Sequence, residues 1–144
     1  DMVRRLTECG VPVCAHLGLT PQAIHKYGGY KVQGREAAAA DKMLEDAAAL
    51  EIAGADLLLL ECVPAGLGRQ ITDNAKVPVI GIGAGSEVDG QILVLYDVLD
   101  IAPGKRTRFS KNYMEGSNSI QNAVGSYVTE VKGGKFPTES YSFK

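Results

Sequence analysis

Glu61 is the residue whose position most invites chemistry. It follows four consecutive leucines, Leu57 to Leu60, and stands where the apolar run gives way to Cys62-Val63-Pro64. A run this short reads as a strand rather than a helix, which puts the carboxylate at the strand's C-terminal end, partly withdrawn from water. Desolvation raises a carboxylate's pKa toward the range in which it works as a general base. The competing reading is structural: a carboxylate paired with a loop cation, or one capping the helix that begins near Pro64. His16 holds the matching place on its own apolar run, after Val13-Cys14-Ala15 and just before Gly18, so both side chains would open onto one face. A histidine at a strand end is also often a hydrogen-bonded structural residue. Residue type and spacing leave both choices open.

Three further features compete for a role. Gly81-Ile82-Gly83-Ala84-Gly85 invites comparison with a dinucleotide-binding turn, but the third fingerprint glycine falls on Ser86 and only a short polar link follows where a helix is required. A backbone turn shaping a pocket wall is the better reading. Gly28-Gly29-Tyr30-Lys31-Val32-Gln33-Gly34-Arg35 joins hinge-capable glycines to two cations and an aromatic, a composition suited to a flap over an anionic ligand or to an ordinary exposed loop. His25, among Gln22, Lys26 and Tyr27, reads as solvated. Cys14 and Cys62 lie inside apolar runs and read as small core residues rather than nucleophiles.

The elements that must position these residues alternate. Asp1 to Cys9 reads as a helix stopped by Gly10, and Val11 to Leu17 as a strand buried on both faces. A long polar link from Gly18 to about Arg35 follows, well beyond the roughly 2 to 6 residues usual between a strand and a helix. Glu36 to Ala53 carries Met43, Ala47 and Leu50 at helical spacing with Asp41, Glu45 and Asp46 facing away, and Gly54 ends it. Then come a strand at Leu57 to Cys62, a helix carrying Leu67, Ile71 and Ala75, a strand at Val77 to Ile82 and a strand at Ile92 to Tyr96. After an irregular basic stretch from Pro103 to Lys111, the last helix presents Ile120, Ala123, Val124, Tyr127, Val128 and Val131 as one stripe. Ser117 to Ser119 can cap it, and Gly133-Gly134 ends it. Continuous apolar strands alternating with helices indicate a parallel sheet of the α/β class, whose ligands bind at the carboxyl ends of the strands.

Composition narrows the function classes. The 144 residues suit one domain, and 15 Lys plus Arg against 17 Asp plus Glu give a formal net charge of −2 with the signs interspersed. No broad basic face offers itself to a nucleic acid, and no apolar run approaches the roughly 20 residues of a membrane span. The three cysteines, Cys9, Cys14 and Cys62, lack CxxC or His/Cys ligand spacing, so neither a disulfide framework nor a zinc site is expected, and a reducing cytoplasm fits. The chain opens on Asp1 within a helical pattern that reads as already begun.

Five long segments in order carry a resemblance. Val11 to Gln22, Gly28 to Arg35, Leu60-Glu61-Cys62-Val63-Pro64, Val79 to Gly85 and Asp89 to Val94 resemble the ketopantoate hydroxymethyltransferase (3-methyl-2-oxobutanoate hydroxymethyltransferase) family, as does the close, Phe136-Pro137 with Glu139 and Phe143. The resemblance implies a (β/α)8 TIM barrel of which residues 1–144 supply the C-terminal half, strands five to eight with their helices. It implies transfer of a one-carbon unit from 5,10-methylenetetrahydrofolate to 3-methyl-2-oxobutanoate, giving 2-dehydropantoate on the route to pantothenate and coenzyme A. In that family Mg²⁺ holds the keto acid, a base removes the proton beside the ketone, and the enolate attacks the folate methylene. By resemblance Glu61 is the proton acceptor and His16 an active-site histidine. The metal ligands, and the lysine and serine contacts to the keto acid, belong to the first four strands, so no metal ligand is expected in this chain. Small-molecule substrates, a homo-oligomer of the full-length protein and no activity of this chain alone are further expectations. The alternative is a non-catalytic folate- or keto-acid-binding module. One local departure stands out: Gly66 and Gly68 fall in a helix where the family usually carries better helix formers, at a cost of roughly 1 kcal/mol each in a helix interior, which predicts a looser helix there.

Overall fold

Parallel pairing organises the chain. The computed structural model describes residues 1–144, and its four strands, β1 (Cys14–Gly18), β2 (Leu57–Glu61), β3 (Val79–Ile82) and β4 (Gly90–Gln91), lie side by side in chain order. All three pairings are parallel, with Gly18 opposite Glu61, Glu61 opposite Ile82 and Gly81 opposite Gln91. The α/β class read from the alternating pattern is the one observed. No helix is long and apolar enough to cross a membrane.

Successive strand residues point to opposite faces, and here the two faces have different fates. Ala15, Leu58, Leu60 and Val79 bury themselves against α3 (Ala37–Ile52) and α4 (Ala65–Asn74), where Ala47, Leu67 and Ile71 complete the main core. The other face carries Cys14, His16, Leu57, Leu59, Glu61, Ile80 and Ile82, of which only Ile82, packed with Phe109, is buried. This corrects the expectation of strands buried on both sides. The same cause places Cys14 in the open, not in the core: β1 is an edge strand whose inner face nothing in this chain covers.

Several boundaries also differ. The helix before β1 is α1 (Met2–Glu8), and the long polar link is not featureless: it holds a tight turn at Pro21–Ala23 and the one-turn α2 (Ile24–Tyr27), closed by Gly28 at φ 67°. The fourth strand is Gly90–Gln91 instead of Ile92 to Tyr96. Its last ladder bond runs from the Ile92 amide to the Gly81 carbonyl, and beyond it β4 has no further neighbour, so the chain leaves the sheet and turns into α5 (Leu95–Val98). Strand propensity in Ile92 and Val94 is overridden by the lack of a partner to pair with.

The last helix, α6 (Ile120–Lys132), is capped as its sequence suggests, the Ser119 hydroxyl accepting from the Asn122 amide at 3.1 Å. Ala123 and the partly buried Tyr127 and Val131 join Val98, Leu99, Tyr113 and Phe136 in a second cluster, whereas Ile120 and Val128 at the ends of the same stripe stay exposed. Edge-on ring contacts among Tyr113, Tyr127 and Phe136, 5.5 to 5.9 Å between centroids, knit this cluster. Lys111 and Tyr113 both bind the Glu130 carboxylate, the phenol at 2.8 Å, which ties the irregular stretch to α6.

The two glycines of α4 separate in meaning. A methyl group at Gly68 would fall on the carbonyl oxygen of Ala84, so the bare backbone there is what lets α4 lie against the turn after β3, and it is not slack. Gly66 meets nothing within 4 Å. Gly68→Ala is therefore expected to cost roughly 1–3 kcal/mol by overpacking, and Gly66→Ala to stabilise by up to about 1 kcal/mol. Urea unfolding midpoints of the two variants check the opposite signs.

Candidate active site

Glu61 ends β2, and the backbone around it is held from three sides. Its carbonyl accepts the Leu19 amide at 2.8 Å, the next amide, of Cys62, donates to the Ile82 carbonyl at 2.9 Å, and the Cys62 carbonyl accepts the Gln33 amide at 2.9 Å. Cys62 itself is in the left-handed region at φ 51°, a conformation that costs a side-chain-bearing residue free energy and persists only where the surroundings impose it. Gly18, at φ 89°, lets the chain cross directly over this point, since a methyl group there would fall on the Glu61 carbonyl oxygen. β1, the glycine-rich loop and β3 thus all meet at one strand end.

His16 and Glu61 come together as their placement suggested. In the β1–β2 register His16 faces Leu59, two residues before Glu61, so the two side chains share the inner face on a diagonal. Their Nε2 and Oε2 atoms are 3.2 Å apart, with side-chain exposures of 27% and 14%. The contact is close but not aligned as a hydrogen bond, and His16 Nε2 is left buried without a partner. Burial pushes the Glu61 carboxyl above its ordinary pKa and the His16 imidazole below its own. Both shifts favour the neutral partners: a histidine uncharged at neutral pH beside a carboxyl that holds its proton more tightly than usual.

The remaining candidates sort by environment. Burial, and then the charge of Glu61, drive the Cys62 thiol up to about 12, which fits an inert core residue. His25 is exposed on α2. The Gly81 to Gly85 segment is a turn, with Gly83 at φ 68° and Gly85 at φ 87°; a methyl group at Gly83 would lie 2.9 Å from the Phe109 ring, and no helix follows before β4. Of these five residues Ile82 alone lines the cavity above Glu61. The Gly28 to Arg35 loop reaches the strand end through Gln33 and lends Tyr30 and Lys31 to a cavity of about 730 Å³ above Glu61. His16 opens instead onto a neighbouring hollow of about 280 Å³, with Thr20, Lys42 and Asp46.

Sequence reading missed part of this wall. Phe109 and Phe143, edge to face at 6.2 Å, close the cavity beside Ile82, and the C-terminal tail is fixed there by a bond from the Ala65 amide to the Phe143 carbonyl at 2.9 Å. Lys105, Arg106 and Arg108 line the same space. The only signal for them was the basic composition of the stretch from Pro103 to Lys111. No group of three or more His, Cys, Asp or Glu side chains that could hold a metal ion is present.

The family model for ketopantoate hydroxymethyltransferase matches residues 1–139. The chain belongs to that family. Among curated relatives, 3-methyl-2-oxobutanoate hydroxymethyltransferase of Alkalilimnicola ehrlichii is 63% identical over 143 residues, 99% of this chain and 52% of the relative. 3-methyl-2-oxobutanoate hydroxymethyltransferase 2 of Hahella chejuensis is 57% identical over 99% of this chain and 54% of its own length, and the Marinobacter nauticus enzyme of the first name is 56% identical over 100% and 54%. The chain spans about half the length of the curated relatives it matches.

A carboxyl whose pKa is raised in the folded state makes stability fall as pH rises, from the ordinary carboxylate range through the raised value. Below that range Glu61 is protonated in both states and the penalty vanishes. Glu61→Gln, which removes the charge and keeps the shape, is expected to raise the melting temperature at pH 7 and to leave it unchanged near pH 3. Calorimetric scans across that interval decide it; no gain at pH 7 would show the carboxylate to be well solvated.

Proposed function

We propose that this chain is the C-terminal half of a (β/α)8 3-methyl-2-oxobutanoate hydroxymethyltransferase, in which Glu61 is the base that takes the proton from the keto acid. The observation that carries the reading is the desolvated Glu61 carboxylate at the C-terminal end of a parallel strand, 3.2 Å from a histidine with a free buried nitrogen. Family membership supplies the reaction: a carbon next to a ketone loses a proton, and the resulting carbon nucleophile takes the methylene of 5,10-methylenetetrahydrofolate.

Glu61 suits the first of these steps. A carboxylate with a raised pKa is a stronger base than an exposed one, and it acts in its ionised form. His16, uncharged, does not compete for the role of counter-ion; its Nε2 is placed to hold the carboxyl once protonated, or to meet an oxygen of the substrate. Mg²⁺, which the family implies, would in this reading take its donors from strands outside this chain. Closure of the inner face by those strands would exclude water from Leu59, His16 and Glu61, and without it the pair is left half-open. Alone, the 144-residue chain is therefore inactive in this proposal.

The test combines this chain with the complementary half of the Alkalilimnicola ehrlichii relative and assays 2-dehydropantoate formation with Mg²⁺ and both substrates. Turnover is expected from the combined halves and none above background from this chain alone. Glu61→Gln in the combined protein is expected to lower kcat by roughly 10²- to 10⁴-fold. In the parent, the rate should fall as pH drops through a pKa above the usual glutamate range, since the base must be ionised. An unchanged kcat in the glutamine variant would remove Glu61 from the mechanism.

A further inference from the structure

The cavity above Glu61 has a basic wall that proton abstraction does not use. Lys31, Lys105, Arg106 and Arg108 line it against two carboxylates, Glu61 and Asp97, in a chain whose formal net charge is −2. Burial, and then the nearby charge of Asp100, push the Asp97 carboxyl above its ordinary pKa. Two of the cations are anchored. Arg106 forks onto Asp100, Nη2 and Nε each meeting one carboxylate oxygen, at 2.7 and 2.8 Å, and the Arg108 guanidinium stands 5.9 Å from the centroid of the Phe143 ring. Lys31 and Lys105 are exposed and make no ion pair.

Even with Arg106 matched by Asp100, three cations in a cavity of about 730 Å³ exceed the needs of a small branched keto acid, which carries one carboxylate and fills a fraction of that space. A folate is a different matter. Its p-aminobenzoyl ring ends in glutamate, and each γ-linked glutamate added to the tail adds another carboxylate.

We propose that Lys31 and Lys105, with Arg106 and Arg108 behind them, form the subsite for the glutamate tail of the folate co-substrate. This rests on the reading that a folate is the one-carbon donor. The division of labour follows from chemistry: Arg106, balanced by Asp100, shapes the wall, the unpaired Arg108 guanidinium beside Phe143 gives it positive potential, and two ammonium groups on flexible stems reach tail carboxylates at variable positions. Tyr30, at the same rim and 78% exposed, offers a ring face to the aminobenzoyl group. The tail then lies away from Glu61, leaving the strand end to the reacting carbon.

The test titrates this chain by calorimetry at low salt with p-aminobenzoyl-tri-γ-glutamate, p-aminobenzoyl-glutamate and 3-methyl-2-oxobutanoate. The triglutamate is expected to bind more tightly than the monoglutamate, with an affinity that falls as salt is added. Lys31→Ala and Lys105→Ala should each weaken it by about two- to fivefold, the double reversal Lys31→Glu with Lys105→Glu should erase the preference for the longer tail, and Lys105→Arg should retain binding. Both lysines lie on exposed loops, and circular dichroism of each variant confirms that the fold is kept. Equal affinity for the two tails, or an unchanged double variant, overturns the proposal; so does loss of keto-acid binding in the same variants, which would assign the wall to that substrate. Because the readout is binding, the two readings fail separately. Tail binding without turnover in the combined halves removes the proposed activity, while turnover insensitive to tail length removes only this subsite.

Discussion

The bond from the Leu19 amide to the Glu61 carbonyl, 2.8 Å long, is the constraint on which the site depends. It forms only because β1 ends at a glycine that bends across β2 without a side chain in the way. With the Glu61 carbonyl tied to one neighbour and the Cys62 amide tied to the other, the residue between strand and helix has no freedom to rotate. The left-handed turn at Cys62 absorbs the strain of this double attachment. The carboxylate is thereby aimed along the inner face toward His16, while the Cys62 carbonyl remains free to catch the Gln33 amide and bring the glycine-rich loop over the cavity.

Main-core packing serves this arrangement from behind. Leu58 and Leu60 are wholly buried, against α3 and α4, so the register of β2 cannot slip by one residue without turning these leucines outward and Glu61 inward among the helices. Such a slip returns two large aliphatic side chains to water at roughly 1.5–3 kcal/mol each and drives the carboxylate deeper among apolar side chains, a further cost. A desolvated acid is therefore tolerated because the leucines next to it decide the register. Gly68 extends the same logic to the following helix, whose close approach to Ala84 sets the depth of the turn after β3.

Much of this was legible in the residue pattern, and for a physical reason. Glu61 and His16 each terminate an apolar run, and in a parallel sheet neighbouring strands end on the same side, so two polar strand ends predict a shared site without any knowledge of the helices. The helices α3 and α6 were readable from stripe and cap because both signals are local. What was not legible depended on neighbours. Ile92 to Tyr96 has the composition of a strand, but pairing needs a partner and β4 is the last strand of the sheet. Cys14 has the setting of a core residue, but its burial depends on what covers the inner face. Phe109, Phe143 and the basic residues from Lys105 to Arg108 come from irregular segments with no period to betray which way they turn. Gly68 looked like a weakness because helix propensity says nothing about the carbonyl that lies against it.

The open inner face also bears on the electrostatics of the pair. Glu61 already has a raised pKa and His16 a lowered one with water still reaching both side chains. In the closed barrel proposed above, covering the inner face would lower the local dielectric and enlarge both desolvation effects, moving the carboxyl further up and the imidazole further down. A base must still be ionised to act, so unlimited desolvation would silence Glu61.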